Sequence, residues 1–223
     1  MTGCGVDAEI LDEPFDLMGK RVFVAGHPGL VGSSVVRRLA GEGCKILSAA
    51  RGDLDLTDWA AVQAYFASVK PEVVVMAAAR VGGIGANMAR PAEFFTDNIL
   101  IQTHLMRAAH EAGVEKLVFL GSSCIYPRDA VQPITEESFM SGALEPTNAA
   151  YAAAKIAGVQ MAQAYRAQYG RDYIALMACN LYGTDDRFDL ERSHVIPALM
   201  MKAHAAKISG GDFVVWGLSL IHI

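Results

Sequence analysis

Apolar runs typical of β-strands alternate with helical repeats along most of this chain of 223 residues. Short runs rich in β-branched and aromatic residues predict strands at 21–26, 44–49, 72–79, 116–121, 173–178 and 213–216. Helical periods predict helices at 29–42, 58–69 and 91–112, one that carries Tyr151 and Lys155, and one that begins near Pro197. This alternation predicts an α/β fold, a doubly wound parallel sheet with helices on both faces.

Charge and cysteine content argue against several classes of protein. The net charge is −5, so we expect no general nucleic-acid surface. Cys4, Cys44, Cys124 and Cys179 are far apart, which predicts reduced thiols of a cytoplasmic protein and no metal site. The first twenty residues are acidic and lack the apolar stretch of a signal peptide. The longest apolar run, 73–79, is too short to cross a membrane.

A glycine-rich turn follows the first predicted strand and opens the first predicted helix, with the sequence Gly-His-Pro-Gly-Leu-Val-Gly over 26–32. Glycines at such positions allow a tight turn, a close backbone approach to a pyrophosphate and close packing of helix on strand. A turn of this composition can also lack a ligand, but the order of strand, turn and helix favours a dinucleotide site. The predicted cofactor contacts are Gly26, His27, Gly29, Leu30, Val31 and Gly32.

The end of the second predicted strand bears on the choice between NAD and NADP. Arg51 stands there, where an arginine suits a ribose 2′-phosphate and an acid would suit a 2′-hydroxyl, so the sequence favours NADP. Arg51 as a solvated surface residue is the alternative, and nearby Asp53 is a competing ribose ligand. Asp55 and Leu56 either line the adenine pocket, or Asp55 starts a turn.

Tyr151 and Lys155 stand four residues apart in a predicted helix, so both side chains lie on one face. An ammonium beside a phenol lowers the pKa of the phenol, so Tyr151 is predicted to exchange a proton with a carbonyl near neutral pH. Ser122 and Ser123 follow the fourth predicted strand, where a hydroxyl can donate to the same carbonyl or merely cap a loop. Together with the glycine turn, these residues predict nicotinamide-dependent carbonyl chemistry.

These motifs resemble the extended short-chain dehydrogenase/reductase family. The resemblance rests on the glycine turn, on Gly121-Ser122-Ser123 and on Tyr151-x-x-x-Lys155. Four longer blocks resemble, more closely, the members that convert GDP-4-keto-6-deoxy-D-mannose to GDP-L-fucose; they lie at 77–83, 121–127, 144–148 and 193–199. The similarity extends from about residue 20 to Gly217.

The resemblance implies an NADPH-dependent enzyme that inverts C3 and C5 of a GDP-sugar and then reduces its C4 ketone. It implies that Cys124 and His194 are the base and acid of the inversions and that Ser122 and Tyr151 hold the C4 oxygen. It also implies that Lys155 holds the nicotinamide ribose. From the residues alone, a cysteine such as Cys124 is more often an inert buried thiol, and a histidine such as His194 is more often a helix cap.

The resemblance adds further cofactor and substrate contacts. The implied cofactor contacts are Leu120, Gly121, Ser122, Ser123, Lys155, Ala178, Cys179, Asn180, Leu181 and His194. Lys202 and Trp216 match substrate-binding positions, with a solvated helix lysine and a core aromatic as the alternatives. The chain departs from the family at Ala178-Cys179, where Pro-Thr is commoner, and at Thr184, where many members have proline.

The predicted organisation is a lead-in at 1–19, an NADP-binding Rossmann domain at 20–182 and the start of a truncated substrate-binding domain at 183–217. Residues 218–223 match the translation of a transposon adapter, so we expect Gly217 to be the last native residue. The resemblance implies a homodimer formed through the helices at 91–112 and 147–169. The alternatives are a sugar-nucleotide 4-epimerase or dehydratase with bound NAD, and a non-catalytic dinucleotide-binding protein.

Overall fold

A parallel five-stranded sheet forms the centre of the protein. The computed structural model describes residues 14–189 and 193–215. The strands are β1 (Arg21–Ala25), β2 (Lys45–Leu47), β3 (Val73–Met76), β4 (Lys116–Leu120) and β5 (Asp172–Leu176). They lie in the order β2-β1-β3-β4-β5 and all neighbouring pairs are parallel. The predicted parallel sheet is confirmed, with strands shorter than predicted at most ends.

Helices connect the strands. They are α1 (Leu30–Leu39), α2 (Trp59–Val69), α3 (Ile84–Ala89), α4 (Pro91–Glu111), α5 (Ala149–Tyr169) and α6 (Val195–Ser209). Asp58 caps α2 by accepting hydrogen bonds from the backbone N–H groups of Ala60 and Ala61. The sequence prediction missed α3, and residues 213–215 form no strand. Within the described ranges, no helix is both long and apolar enough to cross a lipid bilayer.

The strands alternate their side chains between two packed layers. Phe23, Met76 and Phe119 point to one face and join a core with residues of α2, α4 and α5. Val22 and Val24 point to the other face and pack against α1. Because helices cover the sheet from both sides, the strands are nearly continuous apolar runs. The doubly wound α/β class is therefore confirmed.

Strand order places a crevice at the carboxyl end of the sheet. The chain leaves β1 through α1 toward β2, then returns through α2 to β3 on the other side of β1. Neighbouring strands from which the chain departs in opposite directions mark the position where α/β sheets bind ligands. The glycine turn follows β1 at this position.

Several sequence predictions lie at the edges of the described ranges. Residues 14–19, the described part of the predicted loose lead-in, are attached to the sheet domain: the Gly19 N–H donates to the Gly43 carbonyl over 3.0 Å. Trp216 and the predicted tail at 218–223 lie outside the described residues.

Candidate active site

The turn after β1 is shaped by glycines that no other residue could replace. Gly26 has φ +83°, and a Cβ on it would lie 2.6 Å from the backbone nitrogen of Ala78 at the end of β3. A Cβ on Gly32 would overlap the carbonyl oxygen of Gly26. The first turn of α1 therefore packs directly on the end of β1. This geometry fits the pyrophosphate of a dinucleotide, which backbone N–H groups at a helix start can hold.

Two further features of the turn suit an anionic ligand. Gly29 occupies the N-cap position of α1 and has no side chain to satisfy the first N–H groups of the helix. The Nδ1 atom of His27 is buried and has no hydrogen-bond partner among the described residues. A phosphate or ribose oxygen would satisfy these groups. Gly26, His27, Gly29, Leu30, Val31 and Gly32 all lie in this turn or in the first turns of α1.

The loop after β4 is joined to the segment after β5. The Gly121 N–H donates to the Leu176 carbonyl over 2.9 Å, and the Ser123 N–H donates to the Ala178 carbonyl over 3.2 Å. The pairing of β4 with β5 thus continues beyond both strands. The structure brings together predicted cofactor residues that are more than fifty positions apart in the sequence, namely Leu120, Gly121, Ser122, Ser123 and Ala178.

The segment after β5 crosses the carboxyl edge of the sheet and returns to α1. A Cβ on Gly183 would lie 3.8 Å from the side chain of Leu30, and Asp185 pairs with Arg37 of α1 over 2.5 Å. Cys179, Asn180 and Leu181 lie between these attachments and are exposed. Their side chains are therefore available above the same edge that carries the glycine turn.

Arg51 and Asp55 lie beyond the end of β2. Arg51 is exposed. Thr57 donates two hydrogen bonds to the Asp55 carboxylate, from Oγ1 over 2.7 Å and from N over 2.9 Å. These bonds, and then the charge of Arg51, lower the pKa of Asp55. The interpretation that Asp55 starts a turn is confirmed. Leu56 is half-buried and packs against the main core. An adenine contact for either residue stays a prediction.

Lys155 is buried on α5, with 4% of its surface exposed. Its Nζ donates to the Leu120 carbonyl over 2.7 Å and lies 4.8 Å from the ring centroid of Phe119 and 5.9 Å from that of Tyr151. Burial lowers the pKa of Lys155 to about 8. The ammonium is thus held at the end of β4, beside Tyr151, and it is still mostly protonated at neutral pH.

Tyr151 responds to burial in the opposite sense. Burial, and then the negative charge of a nearby Cys124 thiolate, raise the pKa of Tyr151 to about 12, while a hydrogen bond with Ser122 lowers it. The prediction that Lys155 lowers this pKa is wrong, because loss of hydration dominates and Lys155 directs its ammonium to Leu120. A phenol with this pKa is protonated at neutral pH, so it can donate a proton to an oxyanion.

Cys124 lies beside the Ser122 and Tyr151 pair. A short 3₁₀ helix, Ser123–Ile125, carries it, and the Ser122 Oγ accepts a hydrogen bond from the Cys124 N–H over 3.4 Å. The side-chain amide of Asn148 donates to the Cys124 sulfur over 3.3 Å. Sequence reasoning did not single out Asn148 as a site residue and missed this contact. Its position in the block at 144–148, which carries part of the family resemblance, could have indicated that Asn148 belongs to the site.

His194, Lys202 and Trp216 belong to the part of the chain after β5. His194 is exposed at the N-cap position of α6, and its side chain makes no capping hydrogen bond. The neighbouring Ser193 carbonyl lies 3.6 Å from the place of a Cβ on Gly83, so α6 begins beside the loop that follows β3. Lys202 is half-buried on α6, and Trp216 is outside the described residues.

Comparison with known proteins agrees with this geometry. A model of the NAD dependent epimerase/dehydratase family matches residues 22–220. The GDP-L-fucose synthase of Sinorhizobium fredii is 52% identical over 202 residues, which are 90% of this chain and 64% of the relative. The GDP-L-fucose synthase of Escherichia coli is 48% identical over 200 residues, 89% of this chain and 62% of the relative. The chain therefore spans less than two thirds of the length of these relatives.

Solved structures share the fold. A GDP-L-fucose synthetase from Naegleria fowleri, solved with NADP bound, is 31% identical with a TM-score of 0.82 and covers 93% of this chain and 69% of that one. A GDP-D-glycero-L-gluco-heptose synthase from Campylobacter jejuni, solved in the presence of NADPH, is 39% identical with a TM-score of 0.82. That alignment covers 85% of this chain and 56% of the other.

Proposed function

Because the chain belongs to the NAD dependent epimerase/dehydratase family, we propose that it is the cofactor-binding part of an enzyme that converts GDP-4-keto-6-deoxy-D-mannose to GDP-L-fucose. One observation carries the proposal: Ser122, Tyr151 and Cys124 interact with one another at the sheet edge where the glycine turn lies. The first two suit a ketone oxygen, and the thiol adds a base that simple carbonyl reduction does not need.

NADP(H) is the proposed cofactor. The tight turn of Gly26 and Gly32 and the unpartnered Nδ1 of His27 fit its pyrophosphate, and Lys155 and Arg51 would hold the nicotinamide ribose and the 2′-phosphate. When bound, NADPH supplies the hydride for the reduction. The solved relatives with NADP or NADPH support this choice.

The side chains of this site can first promote inversion at C3 and C5. Both carbons are next to the C4 ketone, so their protons become acidic when Ser122 and Tyr151 donate hydrogen bonds to the ketone oxygen. Cys124, as a thiolate, removes a proton from one face, and His194 returns one to the opposite face. Tyr151, which is protonated at neutral pH, then gives its proton to the oxygen at C4 as the ketone is reduced.

Domain organisation, assembly and location follow as parts of the same proposal. Residues 20–182 would form the cofactor domain, and 183–217 would begin the substrate-binding domain, where Lys202 and Trp216 would contact the GDP-sugar. Two copies would pair through the long helices at 91–112 and 147–169. The cytoplasm, where NADPH and reduced thiols occur together, is the proposed location. Size-exclusion chromatography with light scattering tests the dimer.

The reductase role of Tyr151 is tested in a version of the protein extended to the length of its relatives. We expect Tyr151→Phe to lower reduction of GDP-4-keto-6-deoxymannose with NADPH by a factor of about 100 or more, as loss of a general acid should. Tyr169→Phe is the matched control, because Tyr169 lies on the same helix and is 50% exposed. Near-normal reduction by Tyr151→Phe would refute the assignment.

The epimerase role of Cys124 and His194 needs a separate readout. We expect Cys124→Ser or His194→Gln to abolish incorporation of solvent deuterium at C3 and C5, because proton removal or return then lacks its group. Cys44→Ser serves as the control. Cys44 packs on one face of the sheet, and α5, the helix beside Cys124, packs on the other. Unimpaired deuterium incorporation in both active-site variants would instead contradict the assignment of Cys124 and His194 as the base and acid.

A further inference from the structure

Asn148 stands at the N-cap position of α5, but its side chain does not cap the helix. Asparagine is favoured at this position because its oxygen normally accepts a hydrogen bond from an N–H group of the first turn. Here the amide makes no such bond. Its Nδ2 instead donates to the Cys124 sulfur over 3.3 Å, and its Oδ1 is buried with no partner among the described residues. The side chain has left its usual helical role for a contact with the thiol.

We infer that Asn148 is a positioning residue that holds the Cys124 sulfur and stabilises its thiolate form for proton removal. This inference rests on the proposed function, which makes Cys124 a base. An N–H group donated to an ionised sulfur is a charge-assisted hydrogen bond, and it favours the thiolate over the thiol. Rotation of the amide by half a turn would present Oδ1 to the S–H of the thiol, so one side chain can serve both protonation states.

The other groups around Cys124 offer the thiolate little help. Tyr151 faces it from α5 and stays neutral at neutral pH. Lys155 lies one turn further along α5 and donates to the Leu120 carbonyl. Cys179, from the segment after β5, acts electrostatically on Tyr126, as do the acidic Glu136 and Glu137. The contact from Asn148 is therefore the direct side-chain hydrogen bond to the sulfur in the part of the chain that the structure describes.

Asn148→Asp separates this role from helix capping. Aspartate caps helices as well as asparagine does, and its charge is favourable at a helix start, so a purely structural residue would tolerate the change. A carboxylate in the place of the Asn148 amide would, however, repel a thiolate. Asn148→Ser is the second variant, since serine also caps but lacks the amide.

The test measures alkylation of Cys124 by iodoacetamide as a function of pH, in the chain without added nucleotide. Trypsin releases Cys124 in the peptide 117–128, and Cys44 and Cys179 in 39–45 and 172–187, so mass spectrometry follows all three thiols in one sample. We expect the rate at Cys124 at pH 7 to fall about tenfold in Asn148→Ser and further in Asn148→Asp, with the midpoint of the profile moved to higher pH. The rates at Cys44 and Cys179 should not change.

The outcomes distinguish this inference from the proposed function. If the pH profile of Cys124 alkylation is the same in the parent chain and in the variants that fold, the role of Asn148 is overturned. The assay contains neither sugar nucleotide nor NADPH, so a shifted profile supports Asn148 even if another substrate is found. Conversely, normal deuterium exchange in Cys124→Ser, together with a shifted alkylation profile, would remove the proposed role of Cys124 as the base and leave the contact between Asn148 and the thiol intact.

Discussion

Burial acts in opposite directions on the two residues of the Tyr151-x-x-x-Lys155 motif. It raises the pKa of Tyr151 to about 12 and lowers that of Lys155 to about 8, because in each case the charged form loses hydration. At neutral pH the phenol is therefore neutral and the amine is mostly charged. In the proposed function, this combination would place a proton donor for the substrate oxygen next to a cation for the ribose.

The titration of Lys155 predicts how cofactor affinity depends on pH. The ammonium is lost as the pH rises through about 8, below the ordinary value of 10.5 for lysine, so we expect NADPH to bind more weakly above that pH. The dissociation constant is measured by NADPH fluorescence from pH 6.5 to 9.5. Lys155→Met should bind weakly at every pH, and Lys207→Met, a change at an exposed lysine of α6, should follow the parent chain. A constant affinity across this range contradicts the role of Lys155.

Sequence reasoning predicted candidate reactive side chains but not their environment. The spacing of Tyr151 and Lys155 showed that they share a helix face, but how deeply that face is buried depends on contacts with β4. The ring of Phe119 and the carbonyl of Leu120 are distant in sequence, and both lie against Lys155. The predicted sign of the Tyr151 pKa shift failed for this reason. Asn148 was missed because its partner is twenty-four positions away.

At the scale of elements, long periodic segments were predicted well and short ones were not. α4 and α5 begin and end close to the predicted positions, since each has 21 residues and therefore several helical turns of pattern. α3 has only six residues, too few to show a helical period. Its start is held by local hydrogen bonds from the Asn87 amide to the carbonyls of Gly82 and Gly83.

The junction of β1 and α1 gives a prediction about an element boundary. A Cβ at residue 32 would overlap the Gly26 carbonyl, which is rigid backbone, so Gly32→Ala must displace α1 from the sheet. We expect it to lower the free energy of unfolding by about 1–3 kcal/mol and to weaken NADPH binding. Gly41→Ala is the matched control, because a Cβ there has no atom within 4 Å.

Urea denaturation of the two glycine variants gives the comparison. Gly41→Ala should remain within about 0.5 kcal/mol of the parent chain or be slightly more stable. If Gly32→Ala is as stable as Gly41→Ala and binds NADPH equally well, the close packing of α1 on β1 is not needed for the turn.

At the scale of the whole molecule, the sheet gathers distant parts of the chain at one edge. The glycine turn follows β1, the Ser122 loop follows β4, and the segment after β5 crosses back to α1 through the ion pair of Asp185 with Arg37. The start of α6 lies beside the loop after β3. Sequence alternation predicted that these loops share an edge, because carboxyl ends of parallel strands do. It could not predict the return to α1, which depends on contacts between residues about 150 positions apart, such as the ion pair of Asp185 with Arg37.

In the proposed function, this arrangement would separate cofactor binding from turnover. The proposed cofactor contacts lie between Gly26 and His194, within a chain that spans less than two thirds of the relatives' length. We therefore expect the 223-residue chain to bind NADPH, and to bind NADH more weakly because Arg51 would pair with the 2′-phosphate. Fluorescence titration with both nucleotides measures the two affinities.

Arg51→Ala decides whether this preference comes from the end of β2. The change should weaken NADPH binding about tenfold, the size of one charge-assisted hydrogen bond, and leave NADH binding unchanged. Arg128→Ala is the matched control, because Arg128 is also exposed and pairs with its neighbour Asp129. An equal loss of affinity for both nucleotides in Arg51→Ala would mean that the residue supports the fold of the turn. A loss of affinity for NADPH alone would instead place recognition of the 2′-phosphate at the end of β2, independently of the substrate domain.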